Sequence, residues 1–166
     1  MLIDSPAIAV LVRKLFCRAV VVTPNLDEAS LLVGRVVDSE ASMEAAAREL
    51  LARGAPAVLL KGGHISGGVV SDLLIMKNGD VHWMRAPRIQ TANTHGTGCT
   101  LSSAIAAHLA LGASLLEAVQ TARAYVRGAL EAGAKVRTGG GGGPLNHGHA
   151  PLPMRLTRLR SGPSLL

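Results

Sequence analysis

The most chemically pointed pattern in the chain is His95-Gly96-Thr97-Gly98-Cys99-Thr100, which runs directly into the apolar segment LSSAIAAHLALG. The segment's spacing of Leu101, Ala104, Ile105, His108 and Leu109 predicts a helix, so the glycines stand at a helix start. With no side chains in the way, backbone N–H groups there can converge on an anion, aided by the positive end of the helix. Such a cradle suits phosphate groups and would stabilise charge that develops during their transfer. A tight turn is the bland alternative, and the pattern alone leaves both open. Cys99 sits where a helix start would favour its thiolate, able to take a proton from a hydroxyl or to form one wall of a pocket. Read from the residues alone, a small buried hydrophobe is the commoner role for it. His95 has two open readings, contact with a substrate phosphate and anchoring of the turn.

A second set of groups lies earlier in the chain. Lys61 ends the apolar run AVLLK and is followed by Gly62 and Gly63. Its long cationic stem could reach nucleotide phosphates, or it could be an ordinary strand-end lysine in water. Asn25 and Glu28, three apart on one side of a helical turn, could orient magnesium-bound waters. Helix capping is the competing and slightly favoured reading for them. Asp72 reads as an edge charge in the first strand of a hairpin, and Trp83 as a packing residue. His64, His82, His147 and His149 lack zinc spacing.

The elements that must carry these residues alternate. Residues 5 to 16 read as an amphipathic helix with Ser5 as cap and Pro6 in its first turn. AVVVT at 19 to 23 predicts a buried strand, and NLDEASLLVG a short helix closed by Gly34. Ser39 caps a helix whose Met43, Ala46, Ala47 and Leu50 share a face. AVLLK at 57 to 61 is a second strand. VVSDLLIM and VHWMR flank Lys77-Asn78-Gly79-Asp80 as a hairpin at the sheet edge. Ser114 and Glu117 form a capping box for a last helix that turns Val119, Ala122, Val126 and Leu130 inward and stops near Gly133. Five glycines at 139 to 143 end the helical pattern and read as a flexible connector before an irregular tail. The alternation implies an α/β layer fold with a mostly parallel sheet, whose ligands sit beyond the strands' carboxyl ends.

Composition narrows the options. With 48% hydrophobic residues, 19 glycines and one each of Phe, Tyr and Trp, the 166-residue chain is a folded domain with a core of Ala, Leu and Val. Its net charge of +6 is partly held by Arg155, Arg158 and Arg160 in the proline-containing tail. No recognition helix, aromatic platform or finger accompanies that charge, which argues against nucleic acid. Cys17 and Cys99 lack disulfide-framework or metal spacing, the start is not ordered as a signal peptide, and no apolar run suggests a membrane span. A cytoplasmic protein is the simplest expectation.

TPNLDEASLL at 23 to 32, VLLKGGH at 58 to 64, SDLL at 71 to 74, NTHGTGCTLSSAIAAHLALG at 93 to 112 and GPLNHGH at 143 to 149 together resemble the bacterial hydroxymethylpyrimidine/phosphomethylpyrimidine kinases of the ribokinase-like superfamily. The resemblance runs in order over residues 10 to 150. It implies a three-layer α/β/α sandwich over residues 1 to 138, followed by the glycine-rich connector and tail at 139 to 166. It also implies transfer of the ATP γ-phosphate to a pyrimidine hydroxymethyl group and then to the monophosphate.

By the same resemblance Gly96, Thr97 and Gly98 form the anion hole, and Cys99 takes the general-base position with His95 near substrate. Lys61 approaches the ATP phosphates, and Glu28, assisted by Asn25, organises Mg2+. The family's glycine-rich pyrimidine-binding segment, its first strands and its Asp-Pro-Val motif have no counterpart here, so the expected likeness is to the C-terminal part. The sheet would then have an open edge, to be completed by a second copy or by an N-terminal segment, and the short chain need not be active by itself. A pyridoxal-type kinase and a non-catalytic nucleotide-binding remnant are the alternatives.

Overall fold

The computed structural model describes residues 5–63 and 67–151, so the basic tail and His64 lie outside the described residues. Helix α1 (Ser5–Leu15) fills the expected span. A 3₁₀ turn, Phe16–Arg18, follows and buries Phe16. Asn25 caps α2 (Leu26–Val33), and Ser39 caps α3 (Glu40–Ala52). The strands β1 (Ala57–Lys61), β2 (Val69–Met76) and β3 (Val81–Pro87) complete the first of two compact units, which ends at Gln90. The second unit contains α4 (Thr97–Ala110) and α5 (Leu115–Gly133).

In the first unit β2 is the central strand, flanked by β1 and β3. Both pairings are antiparallel, with Lys61 opposite Asp72 and Asp72 opposite Met84. The expected predominance of parallel pairing is therefore corrected for the named strands. Short connections explain it: a reversal after Met76 and a few residues after Lys61 cannot make the crossover that parallel strands require. The hairpin turn is as read, with the Gly79 N–H donating to the Met76 carbonyl at 3.0 Å and Asn78 Nδ2 to Asp80 at 2.7 Å.

Parallel pairing survives in one place. Residues 22 to 25 run alongside β1 through bridges Val22 to Val58 and Asn25 to Lys61. The Val22 N–H donates to Ala57, the Leu59 N–H to Val22 at 2.8 Å, and the Lys61 N–H to Pro24 at 3.0 Å. The expected buried strand at 19 to 23 is corrected accordingly: Val20 is 59% exposed and the segment makes only isolated bridges. Among the described residues it is hydrogen-bonded as a strand along β1 alone, and Pro24 has no N–H to extend a ladder.

The core of this unit follows helical and strand periodicity. Met43, Ala46, Ala47 and Leu50 on α3 pack with Val58, Leu60, Leu73 and Ile75, and α2 adds Leu26, Ala29 and Val33. Full burial of a side chain such as Leu50 is worth about 1.5–3 kcal/mol. Trp83 packs against this cluster, with the Arg85 guanidinium 5.2 Å over its ring.

In the second unit α5 starts at Ser114 in the expected capping box and buries Ala118, Val119, Ala122, Val126 and Ala129. Leu130, expected inward, is only half-buried. Leu101 and Ile105 are the buried residues of α4, which packs on α5. The glycines 139 to 142 are exposed, but Gly143 and Leu145 are buried, and the Asn146 N–H donates to the Ala129 carbonyl at 3.0 Å. No helix among the described residues is long and apolar enough to cross a membrane.

Candidate functional sites: a glycine loop and a lysine corner

The glycine loop lies at the start of α4. Gly96 is the N-cap residue, at φ 86°, and it has no side chain to accept from the first-turn N–H groups. An L side chain is strained at that dihedral, which is why glycine stands there. The Thr100 N–H donates back to the Gly96 carbonyl at 2.9 Å. The N–H groups of Gly98 and Cys99 fall in the first turn, where a helix supplies no acceptor of its own. No acidic residue occupies that turn, so nothing there opposes an incoming anion. The turn is anchored by Thr97, whose Oγ1 donates to the Thr94 carbonyl at 3.0 Å, while His95 stays exposed. Cys99 is a free, exposed thiol, which corrects its reading as a small buried hydrophobe. It projects from the loop end of α4, while Leu101 and Ile105 supply that helix's buried face.

The root of the loop is Asn93, 6% exposed. Its Nδ2 donates to the carbonyls of Gly133 and Val136, each at 2.8 Å, and its Oδ1 accepts from the Gly143 N–H. Its own N–H donates to Thr91 Oγ1, which donates on to Ala134. Three stretches of chain thus meet on one side chain. Sequence reading passed over this residue. A signal was present, since a lone Asn immediately before a glycine loop is a residue type that bonds to backbone.

In the other unit Asn25 lies beside Lys61 at the end of β1, joined to it by an isolated parallel bridge. Asn25 Oδ1 accepts from the Glu28 N–H at 2.8 Å, and Glu28 Oε2 accepts from the Asn25 N–H at 2.8 Å. That is a capping box, the favoured of the two readings made from the residues. The box takes up the Asn25 side-chain oxygen and one Glu28 oxygen. A magnesium ion, which keeps several waters and one or two carboxylates beside phosphates, fits the second Glu28 oxygen, Oε1. The Asn25 amide nitrogen is a donor and suits water or phosphate instead. Among the described residues no group of three or more His, Cys, Asp or Glu side chains is placed to hold a metal ion.

Lys61 is half-buried at the end of β1. Behind it the Gly62 N–H donates to Asp72 Oδ1 at 2.9 Å. Asp72 is 8% exposed on the central strand, which corrects its reading as an edge charge. The clue was its place in VVSDLLIM, where a carboxylate between apolar neighbours must be bonded if it is buried. Arg88 closes the same corner, donating through Nη1 to the Gly63 carbonyl at 2.7 Å and through Nε to the Gly67 carbonyl at 2.8 Å.

Known proteins share these elements in this order. The family model described as phosphomethylpyrimidine kinase matches residues 1–146. The hydroxymethylpyrimidine/phosphomethylpyrimidine kinases of Rhizobium meliloti and Streptomyces coelicolor are 47% and 46% identical to this chain, covering 89% and 90% of it and 56% and 54% of their own lengths. The pyridoxal kinase of Staphylococcus aureus in complex with AMP-PCP and pyridoxal superposes with a TM-score of 0.83 at 32% identity, over 90% of this chain and 55% of that one. The phosphomethylpyrimidine kinase of Clostridium difficile 630 gives a TM-score of 0.61 at 33% identity, over 76% of this chain and 49% of that one.

The α/β arrangement is thus that of the ribokinase-like small-molecule kinases. Within that class, this chain belongs to the phosphomethylpyrimidine kinase family. It spans about half the length of the relatives it matches.

Proposed function

We propose that this chain carries the phosphate-handling half of a kinase that moves the ATP γ-phosphate to hydroxymethylpyrimidine and to its monophosphate. The observation that carries the reading is the unobstructed first turn of α4, with Gly96 left-handed and Gly98 and Cys99 offering backbone donors. The substrate oxygen attacks the γ-phosphorus, the bond to the ADP leaving oxygen breaks, and the substrate proton passes to Cys99 Sγ, which acts as the base. Gly98 and Cys99 N–H groups hold the charge on the phosphoryl oxygens during this transfer. Lys61 neutralises nucleotide phosphates from the end of β1, and His95 faces the substrate end of the loop. Glu28 would hold magnesium, which would supply charge neutralisation at the nucleotide phosphates. Identity of nearly half to the pyrimidine kinases supports the pyrimidine as acceptor. In this reading the working protein is cytoplasmic, and its sheet edge is closed by a second copy or by an N-terminal segment.

Two other readings each have an observation behind them. The pyridoxal kinase structure, with its TM-score of 0.83, favours pyridoxal as acceptor. The coverage of only 56% of a relative's length favours a nucleotide-binding protein that transfers nothing. Supplying the purified chain with ATP and, separately, hydroxymethylpyrimidine, its monophosphate and pyridoxal separates them. Turnover on the two pyrimidines supports the proposal, turnover on pyridoxal alone replaces it with the second reading, and ATP binding without transfer replaces it with the third.

A further inference from the structure

We propose that Asp72 is a positioning residue for Lys61, its buried carboxylate fixing the point at which the chain leaves β1. The inference rests on the reading of Lys61 as a contact to nucleotide phosphates.

The backbone of Lys61 is held from two sides. Its N–H donates to the Pro24 carbonyl at 3.0 Å, and it pairs with Asp72 across the antiparallel ladder. The next donor along the chain, the Gly62 N–H, is taken by the Asp72 side chain at 2.9 Å. The ladder therefore ends at Lys61, because the donor that would have continued it is bonded to a carboxylate. A buried backbone donor is costly to leave unbonded, so the Gly62 N–H is anchored where Asp72 meets it. Gly62 lies so close to β2 that a Cβ on it would stand 2.0 Å from the Ser71 carbonyl oxygen. Only glycine passes there, and it is the most flexible residue to place behind a functional lysine. Asp72 removes that freedom, and Arg88 holds the Gly63 carbonyl one residue further on. A long, flexible lysine stem gains directed reach when its backbone is fixed, since less entropy is lost on engaging a phosphate.

Binding of AMP-PCP to the full chain, measured by calorimetry, tests the inference in four proteins: unsubstituted, Asp72→Asn, Lys61→Ala and the double variant, with Asp72→Ala added where it folds. Asn keeps an acceptor oxygen but not its charge. Asp72→Asn is expected to weaken binding about threefold and Asp72→Ala about tenfold, each tenfold being ~1.4 kcal/mol. In the Lys61→Ala background the Asp72 substitution should change binding no further, which a merely structural role would not produce. Losses that add in the double variant, or unchanged affinity in Asp72→Asn while Lys61→Ala weakens binding, overturn the inference and leave the Lys61 reading intact. Affinity unchanged by Lys61→Ala, or no binding by the unsubstituted chain, overturns both.

Discussion

Asn93 donates through Nδ2 to the Gly133 carbonyl at 2.8 Å, joining the residue at the root of the glycine loop to the end of α5. The same amide holds Val136 and accepts from Gly143, so the loop's starting point is set by a chain segment 40 to 50 residues away. Asn93→Ala would remove the acceptor of the buried Gly143 N–H and a donor to the Gly133 and Val136 carbonyls, of which the first still accepts from the Val136 N–H. A loss of stability of about 1–3 kcal/mol is expected, measured by urea unfolding. Asn93→Asp should be no milder, because it sets a carboxylate against two carbonyl oxygens.

Gly96→Ala should separate folding from phosphate handling. No atom lies within 4 Å of an added Cβ, so packing is unaffected, but φ 86° is costly for an L residue. Destabilisation of about 1–2 kcal/mol is expected, with AMP-PCP binding weakened beyond what that loss of folded protein accounts for. Thermal melts beside calorimetry at a temperature where both proteins are folded check this.

Gly62→Ala should be far worse. The added Cβ meets the Ser71 carbonyl oxygen at 2.0 Å, a backbone atom that cannot swing aside. A loss of more than about 3 kcal/mol is expected, seen as a lowered unfolding midpoint or as insoluble protein.

Acidification should act through surface ion pairs. The Arg35 and Arg53 guanidiniums beside Glu49 hold its carboxyl below the ordinary value of 4.5. Arg85, and then Ser71, do the same for Glu40. The folded state thus binds these protons less readily than the unfolded chain. This contribution is fully present above the ordinary carboxylate value and is lost as pH falls through the lowered folded one. The unfolding midpoint should be insensitive to these groups between pH 7 and 5, within the solvent-screened limits of exposed pairs. It should decline below pH 4.5, and less steeply in Glu49→Gln.

Local chemistry made much of the fold legible. Asn25, Ser39 and Ser114 cap helices because their short oxygens reach the backbone N–H three residues on, a relation contained within one turn. The hairpin at Asn78-Gly79 is equally local. What stayed hidden depends on partners distant in sequence. AVVVT has a strand's composition, yet its exposure depends on what lies on its far side. Asp72 looks like a surface charge until the Gly62 N–H is seen to end on it. Asn93 and Gly143 meet only once α5 has folded back between them. Cys99 was placed correctly at the helix start, but which way a helix turns its first residues depends on packing, and α4 buries Leu101 and Ile105 instead.

The claim that the residues from Lys61 to Cys99 carry phosphoryl transfer is tested most directly with γ-labelled ATP. Label transferred to hydroxymethylpyrimidine is counted for the full chain, Cys99→Ala and Lys61→Ala. The account predicts turnover by the unsubstituted chain that is lost in both variants; full turnover by Cys99→Ala, or nucleotide binding with no transfer in any of the three, would contradict it.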